Sequence, residues 1–94
     1  PAPDELAPPI PLNRPRARYT KEARDEKIEG TVSLRVLVRV DGTVRGVKVV
    51  KGLSHGLTEQ AVMAANKMRF KPASKGGQPV EQWLAMDIEF KLKE

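Results

Sequence analysis

Apolar and polar residues alternate along residues 28–49, and this pattern predicts a β-hairpin with one buried face. The apolar members of the first strand occupy every second position: Val32, Leu34, Val36, Val38 and Val40. Asp41 and Gly42 are predicted to form the turn, because glycine readily adopts the positive φ of tight hairpin turns.

The return strand is predicted to be irregular. Val47 and Val49 share a period of two and are expected to point inward. Val44 is out of phase with them, so we expect a β-bulge near Arg45 and Gly46.

Two helices are predicted on either side of the hairpin. Residues 19–27 are expected to form a short helix capped by Thr20. A longer helix is expected to begin with Thr58 as its N-cap and to end before Pro72, which lacks a backbone N–H. Its apolar residues recur at helical spacing and predict a buried stripe: Leu57, Ala61, Ala64, Ala65 and Met68.

Residues 80–92 form the last predicted strand. Leu84, Met86 and Ile88 belong to its apolar face, together with Phe90 and Leu92. Trp83 falls on the opposite face, where a large ring either covers another part of the chain or meets a partner. Both readings of Trp83 remain open from the sequence alone.

The predicted order is a short helix followed by β-β-α-β, which indicates an α+β fold. One main helix is expected to cover one face of a three-stranded antiparallel sheet, in two layers. Such a small sheet has exposed edge strands, which either resist or invite pairing with another chain.

Six of the eight prolines lie in residues 1–15, so this segment is predicted to be an extended linker. Residues 16–94 are predicted to form a single domain. The sequence starts without Met and has the character of a piece of a longer protein, in which any membrane anchor would precede residue 1.

The net charge of +5 raises the possibility of nucleic-acid binding, but basic residues fall on the outward face of a strand or in loops. A solvated basic face is therefore the expectation, with no nucleic-acid partner. With no Cys and a single His, the sequence predicts no metal site, no cofactor and no catalytic residue, so an enzyme is not expected.

Several short motifs, taken in order, make the chain resemble the C-terminal domain of TonB, the periplasmic energy transducer of Gram-negative bacteria. They are IEGTV (28–32), VDGTV (40–44), GLT (56–58), MRFKPA (68–73) and the closing residues Ile88, Phe90 and Leu92. The likeness covers about residues 14–92, and the MRFKPA block is its most specific part.

The resemblance implies a central first strand and a last strand at the sheet edge. It further implies a periplasmic domain on a proline-rich linker, anchored in the inner membrane and driven by an ExbB/ExbD-like motor. The implied partner is an outer-membrane TonB-dependent transporter, whose extended TonB-box peptide adds a strand beside the last one.

The peptide-binding residues that follow from this resemblance lie on the last strand and just before the short helix. They are Gln82, Trp83, Leu84, Ala85, Met86, Asp87 and Ile88, with Arg16, Arg18 and Tyr19 as a neighbouring wall. Well-known TonB proteins carry a glutamine-rich stretch where Arg16 and Arg18 stand here. An arginine pair favours a carboxylate-bearing peptide.

Two alternatives to transport remain open. In the first, the domain serves another envelope machine, for motility, secretion or envelope integrity, through the same edge. In the second, it pairs its last strand with that of a second copy in a strand-exchanged homodimer.

Overall fold

The computed structural model describes residues 6–14 and 16–92. Within them the elements follow one another as β1 (Leu6–Ala7), β2 (Ile10–Pro11), α1 (Lys21–Asp25), β3 (Gly30–Val38), β4 (Val44–Lys51), α2 (Leu57–Asn66), β5 (Phe70–Lys71), β6 (Ala73–Lys75), β7 (Gln78–Val80) and β8 (Gln82–Phe90). The three long strands form an antiparallel sheet in the order β4-β3-β8, so β3 is central and β8 lies at an edge. This order confirms the α+β prediction and the strand order that the resemblance implies.

The predicted hairpin is confirmed, including its bulge. The β3–β4 register passes from Leu37 opposite Gly46 to Val38 opposite Val44, which leaves Arg45 as the extra residue. One detail of the prediction is wrong, and another is right only in the direction of the side chain. Val40 lies in the turn and is 51% exposed, because β3 already ends at Val38. Val49 lies opposite the buried Leu34 but remains 47% exposed near the end of the edge strand.

The turn between β3 and β4 is held by local hydrogen bonds. Arg39 donates its N–H to the carbonyl of Thr43 at 2.8 Å, and Gly42 donates to the carbonyl of Arg39 at 2.9 Å. The hydroxyl of Thr43 donates to the Asp41 carboxylate at 2.6 Å, and this bond lowers the pKa of Asp41. Gly42 has the expected positive φ, 87°.

The main helix begins and ends earlier than the sequence predicted. Its N-cap is Gly56, which adopts a left-handed conformation (φ 80°), and not Thr58. The Thr58 hydroxyl instead bonds to both backbone groups of Leu53, accepting at 2.8 Å and donating at 2.7 Å. The helix ends at Asn66, well before Pro72, so Pro72 does not terminate it.

The short helix α1 is capped as predicted, because the Thr20 hydroxyl accepts from the N–H of Ala23 at 3.1 Å. Ala23 then packs in the core that forms between the sheet and α2. The core consists mainly of aliphatic side chains from β3 and α2: Val32, Leu34, Val36, Val38, Leu57, Ala61 and Ala65. Burying each of the larger ones contributes about 1.5–3 kcal/mol.

The described part of the proline-rich segment pairs with the domain. β1 pairs with β6, and β2 pairs with β5, both antiparallel. Asn13 extends the contact, since its side-chain oxygen accepts from the N–H of Arg69 at 2.8 Å. Residues 1–5 and 15 of the predicted linker lie outside the described residues, and its boundary at residue 15 stays a prediction. No helix in residues 6–14 and 16–92 is long and apolar enough to cross a membrane.

Candidate functional site

The candidate site is the free edge of β8, together with the chain that lies beside its C-terminal end. Side chains of β8 alternate as predicted between the two faces of the sheet. Leu84, Met86 and Ile88 are partly buried and pack against the core. Trp83, Ala85 and Asp87 are exposed on the outer face, and Gln82 is partly buried at the start of the strand.

The register of the sheet indicates which backbone groups of β8 lie at its free edge. Both backbone groups of Arg39 bond within the β3–β4 turn, so they face β4. Backbone groups alternate in direction along a strand, so those of Val38, Val36 and Leu34 face β8. Their partners there are Gln82, Leu84 and Met86, which therefore bond to β3. By the same alternation, Ile88 and Phe90 also face β3, where they lie opposite Val32 and Gly30. The residues between these direct their N–H and C=O groups away from the sheet: Trp83, Ala85, Asp87 and Glu89.

This free edge is long and regular. β8 pairs with β3 at nine consecutive positions, from Gly30 opposite Phe90 to Val38 opposite Gln82, without a register shift. In residues 6–14 and 16–92 no strand pairs with the other side of β8. The edge therefore presents an uninterrupted row of alternating donors and acceptors, which is the geometry that a further strand requires.

Trp83 lies on the outer face of the sheet, directly opposite Leu37 of β3. The ammonium group of Lys48 from β4 lies 5.3 Å from the centre of its ring, a cation–π contact that spans the sheet. The indole is nevertheless 41% exposed. An added strand would therefore place side chains directly beside a rigid apolar ring.

A cavity of about 920 Å³ opens at the C-terminal end of β8. Arg16 and Tyr19 line it from one side, and Ile88 lines it from the strand, so the structure brings these three predicted residues together. Arg18 is exposed and is not among the lining residues. We call this the basic cavity, because its cationic residues outnumber its single carboxylate, that of Glu89: Arg16, Arg24, Lys27 and Lys91.

Tyr19 forms the wall between the basic cavity and the core. Its ring packs edge-on against Phe90, with ring centres 5.5 Å apart. Its hydroxyl donates to the carbonyl of Ile28 at 2.5 Å. Desolvation of the phenol raises the pKa of Tyr19, and the nearby charge of Glu29 adds to this shift, while Arg24 opposes it. The tyrosine is thus held in one position next to the end of the free edge.

Sequence reasoning missed Arg24, Lys27 and Lys91 as residues of the site. They reach the basic cavity from α1, from the turn that follows it and from the chain after β8. Arg24 and Lys27 are three residues apart, but no sequence spacing relates them to Lys91, so no local pattern would have placed the three together. Lys48 was also missed, although its outward position in β4 placed it on the same face as Trp83.

The free edge and the basic cavity contain groups suited to binding: backbone donors and acceptors, an exposed indole and several cations. No three His, Asp or Glu side chains in the described ranges gather closely enough to hold a metal ion. His55, the single histidine, is exposed in the loop before α2, where its ring lies 2.7 Å from the Ser54 hydroxyl. A free strand edge beside a cationic cavity can bind an extended, acid-bearing chain.

Comparison with known proteins agrees with this geometry. Residues 15–92 match the family described as the C-terminal part of the Gram-negative bacterial TonB protein. The chain is 34% identical over 82 residues to Protein tonB2 of Pseudomonas aeruginosa; the match covers 86% of this chain and 30% of that protein. The solution NMR structure of the Pseudomonas aeruginosa TonB CTD superposes with a TM-score of 0.72 at 25% identity, covering 94% of this chain and 90% of that one.

Proposed function

The chain belongs to the family of Gram-negative bacterial TonB C-terminal domains, and we propose that it binds the TonB-box peptide of an outer-membrane transporter by strand addition at β8. In this proposal the domain works in the periplasm and acts as an adaptor, not as an enzyme. It passes the energy of the inner-membrane proton gradient to uptake across the outer membrane.

The observation that carries the proposal is the unbroken free edge of β8. An extended peptide laid beside it bonds to the outward N–H and C=O groups of Trp83, Ala85, Asp87 and Glu89. Each such hydrogen bond contributes about 0.5–1.5 kcal/mol net. Main-chain bonds alone therefore give modest affinity, and they carry no information about the sequence of the peptide.

Selectivity would come from side chains on both sides of the edge. On the outer face, Trp83 and Ala85 form an apolar surface for alternate residues of the peptide. At the C-terminal end of β8, Arg16 and Tyr19 form a wall at the basic cavity. Arg18, which is exposed close by, is proposed to join them once a peptide is bound.

The remainder of the proposed machine lies outside this chain. The chain spans 30% of the length of Protein tonB2, so the parts that would drive it are proposals. An anchor upstream of residue 1 would join an ExbB/ExbD-like motor in the inner membrane. Force would then enter through the proline-rich segment and leave through the peptide on β8.

A partner other than a transporter would use the same edge. The arginine pair at 16 and 18, where well-known TonB proteins carry a glutamine-rich stretch, favours considering another envelope machine as the second candidate function. A second copy of the chain could also pair its β8 with this one in a homodimer. Sedimentation over a range of concentrations separates the homodimer from a monomer with a free edge.

The test is capture of outer-membrane proteins on the immobilised domain, followed by NMR titration with the N-terminal peptide of any captured transporter. We expect amide shifts at residues 82–89, with smaller ones at 16–19. The single tryptophan gives an independent signal, because a peptide beside Trp83 changes its fluorescence. Shifts confined to other parts of the sheet, or capture of no transporter, would refute the proposal.

A further inference from the structure

We infer that the described part of the proline-rich segment, residues 6–14, is a strap that opens under tension before the domain unfolds. We call these residues the arm. Opening of the arm moves the load from β5 to the chain that forms the wall of the basic cavity. The inference rests on the proposed function only for the source of the tension, and its test requires no peptide at β8.

The arm lies on the domain as one antiparallel strand with a gap in its middle. Its paired positions keep a single register throughout: Leu6–Lys75, Ala7–Ser74, Ile10–Lys71 and Pro11–Phe70. The same register places Pro8 and Pro9 opposite residues 72–73, where Pro72 is a third proline. Proline has no N–H to donate, so the pairing is interrupted where these prolines meet.

The side chains of the arm add little to this pairing. Leu6, Ile10 and Leu12 are all exposed, and Pro9 is the single buried residue of the arm. The central strand β3 differs, because it pairs on both sides and its apolar residues are buried. Segments with little buried apolar area and exposed hydrogen bonds open first in folded proteins. The arm is therefore expected to open while the main sheet stays intact.

While the arm is docked, a pull on its N-terminal end is carried into β5. Phe70 of β5 lies opposite Pro11 of the arm. It also donates its N–H to the carbonyl of Gly42 at 2.8 Å. Gly42 belongs to the turn that joins β3 and β4. The load thus reaches the central strand of the sheet without passing through residues 14–20.

The last attachment of the arm lies close to the wall of the basic cavity. Leu12 donates its N–H to the carbonyl of Arg69 at 2.8 Å, and the Asn13 side chain accepts from the N–H of Arg69 at 2.8 Å. Arg16, three residues further along, lines the cavity. Three residues span at most about 11 Å, so the docked Asn13 limits where Arg16 can lie.

Once the arm opens, the next hydrogen-bonded attachments are Tyr19 and Thr20. The hydroxyl of Tyr19 donates to the carbonyl of Ile28 at 2.5 Å. The hydroxyl of Thr20 donates to the carbonyl of His55 at 2.5 Å. Tension then acts on the chain between the arm and these two residues, which includes Arg16. The load is thereby transferred from the middle of the sheet to the wall beside β8.

The first experiment pulls the 94-residue chain between peptide tags fused to its two ends, in magnetic tweezers. We expect a reversible step at forces below those that unfold the domain. The step should lengthen the chain by at most about 50 Å, because residues 6–20 can span no more. Forced opening reports the barrier of the segment that carries the load, so an arm that opens first gives the first step.

A disulfide across the arm provides the matched control. The chain has no Cys, and Ala7 lies directly opposite Ser74. Ala7→Cys combined with Ser74→Cys therefore introduces one pair of thiols at a separation that a disulfide can bridge. In the oxidised variant the load passes through the disulfide to β6, so the first step should be lost. Reduction with dithiothreitol should restore it in the same molecule.

A second experiment tests the effect of the arm on the wall without tension. Leu12→Pro removes the N–H that bonds to Arg69, and Leu12→Ala is the matched control because it keeps that N–H. By NMR, only the proline variant should speed exchange of the Arg69 amide, by at least about tenfold. Its order parameters at residues 16–18 should fall below about 0.6, the range of flexible backbone. The alanine variant should match the unmodified chain.

Four results would overturn the inference. They are the absence of a step before unfolding, a step that persists in the oxidised variant, failure of the two introduced cysteines to cross-link, and equal order parameters at residues 16–18 in both Leu12 variants. The proposed function is tested separately. If no peptide shifts residues 82–89, strand addition is refuted, whereas the behaviour of the arm is unaffected by that result.

Discussion

The sheet has two edges, β4 and β8, and they differ in the features that decide whether an edge can accept another strand. β8 pairs with β3 at nine consecutive positions without a register shift. β4 has two register shifts against the same strand, one beside Leu37 and one beside Leu34. Bulges twist an edge and interrupt its row of donors and acceptors, so the β4 edge is a poor template for pairing.

Charge adds to this difference. Arg45, Lys48 and Lys51 lie on β4, and cations on an edge discourage pairing. Two of them also hold the outer face together, since Arg45 contacts Glu81 and Lys48 contacts Trp83. The β4 edge is thus unsuited to pairing with another chain, and its side chains help to position β8 at the opposite edge.

The largest expected effect comes from placing a proline on the β8 edge, compared with a proline on the β4 edge. Ala85→Pro removes an N–H that faces away from the sheet, so the domain should stay folded and peptide binding should fall at least about tenfold. Val49→Pro is the matched control, because the N–H of Val49 faces away from β3 on the β4 edge. It should leave binding unchanged. Amide spectra and peptide titrations of both variants provide the measurement.

A third proline tests the assignment of the backbone groups. Met86→Pro, one residue further along, removes an N–H that bonds to β3 and should cost about 3 kcal/mol or more of unfolding free energy. If Ala85→Pro unfolds the domain and Met86→Pro does not, the deduced direction of the β8 backbone is reversed. If Val49→Pro abolishes binding as well, the two edges do not differ in function.

The next largest effect concerns the turn that holds β4 in place. A Cβ on Gly42 would lie 2.1 Å from the carbonyl oxygen of Phe70, and the φ of Gly42 is 87°. Gly42→Ala should therefore lower the unfolding free energy by at least about 2 kcal/mol, through backbone strain and overpacking. Urea denaturation followed by circular dichroism measures this change.

Gly46 provides the comparison for that experiment. It lies beside the bulge in β4, and a Cβ there would meet no atom within 4 Å. Gly46→Ala should change stability by less than about 0.5 kcal/mol. Equal effects of the two substitutions would show that contact with Phe70 does not hold the turn.

The smallest expected effect is a pH dependence at the end of the β8 edge. The chain has one tyrosine, so absorbance at 295 nm follows Tyr19 alone. Its pKa should lie above the usual value of 10.0 in the folded chain, because the phenol is desolvated, and should return to that value in urea. The raised pKa means that the folded state holds the proton more tightly. This contribution to stability is complete below about pH 10 and is lost as pH rises through the folded pKa.

Replacing a charge near Tyr19 sharpens the same measurement. Arg24 lowers the pKa of Tyr19, whereas Glu29 raises it. Arg24→Gln should therefore raise the pKa of Tyr19 further, and Lys71→Gln should leave it unchanged. A Tyr19 pKa equal in the folded and urea-unfolded chain would contradict the packing described for the phenol.

Much of the fold followed from local sequence signals. Alternation of Val and Leu predicted β3 and its buried face, and the phase of Val44 predicted the bulge at Arg45. Thr20 predicted the start of α1. These predictions succeed because side-chain direction in a strand and cap geometry in a helix depend on residues only a few positions apart.

Where local signals compete, the sequence was a weaker guide. Thr58 has the chemistry of an N-cap, but its hydroxyl bonds to Leu53 and Gly56 begins the helix. Pro72 is a sound stop signal, yet α2 ends at Asn66. The chain after Asn66 bonds to Asn13 and then forms β5 with β2, contacts between distant segments that no helix signal encodes.

The sequence by itself determined which residues of β8 face the core and which face outward, because a period of two requires no knowledge of neighbours. Only the tertiary structure decided that β8 has no partner on one side in the described part of the chain, and that β4 is the blunted edge. It also brought Arg16, Arg24 and Lys91 to one cavity. The physical reason is distance along the chain, since these contacts form only when the core draws remote segments together.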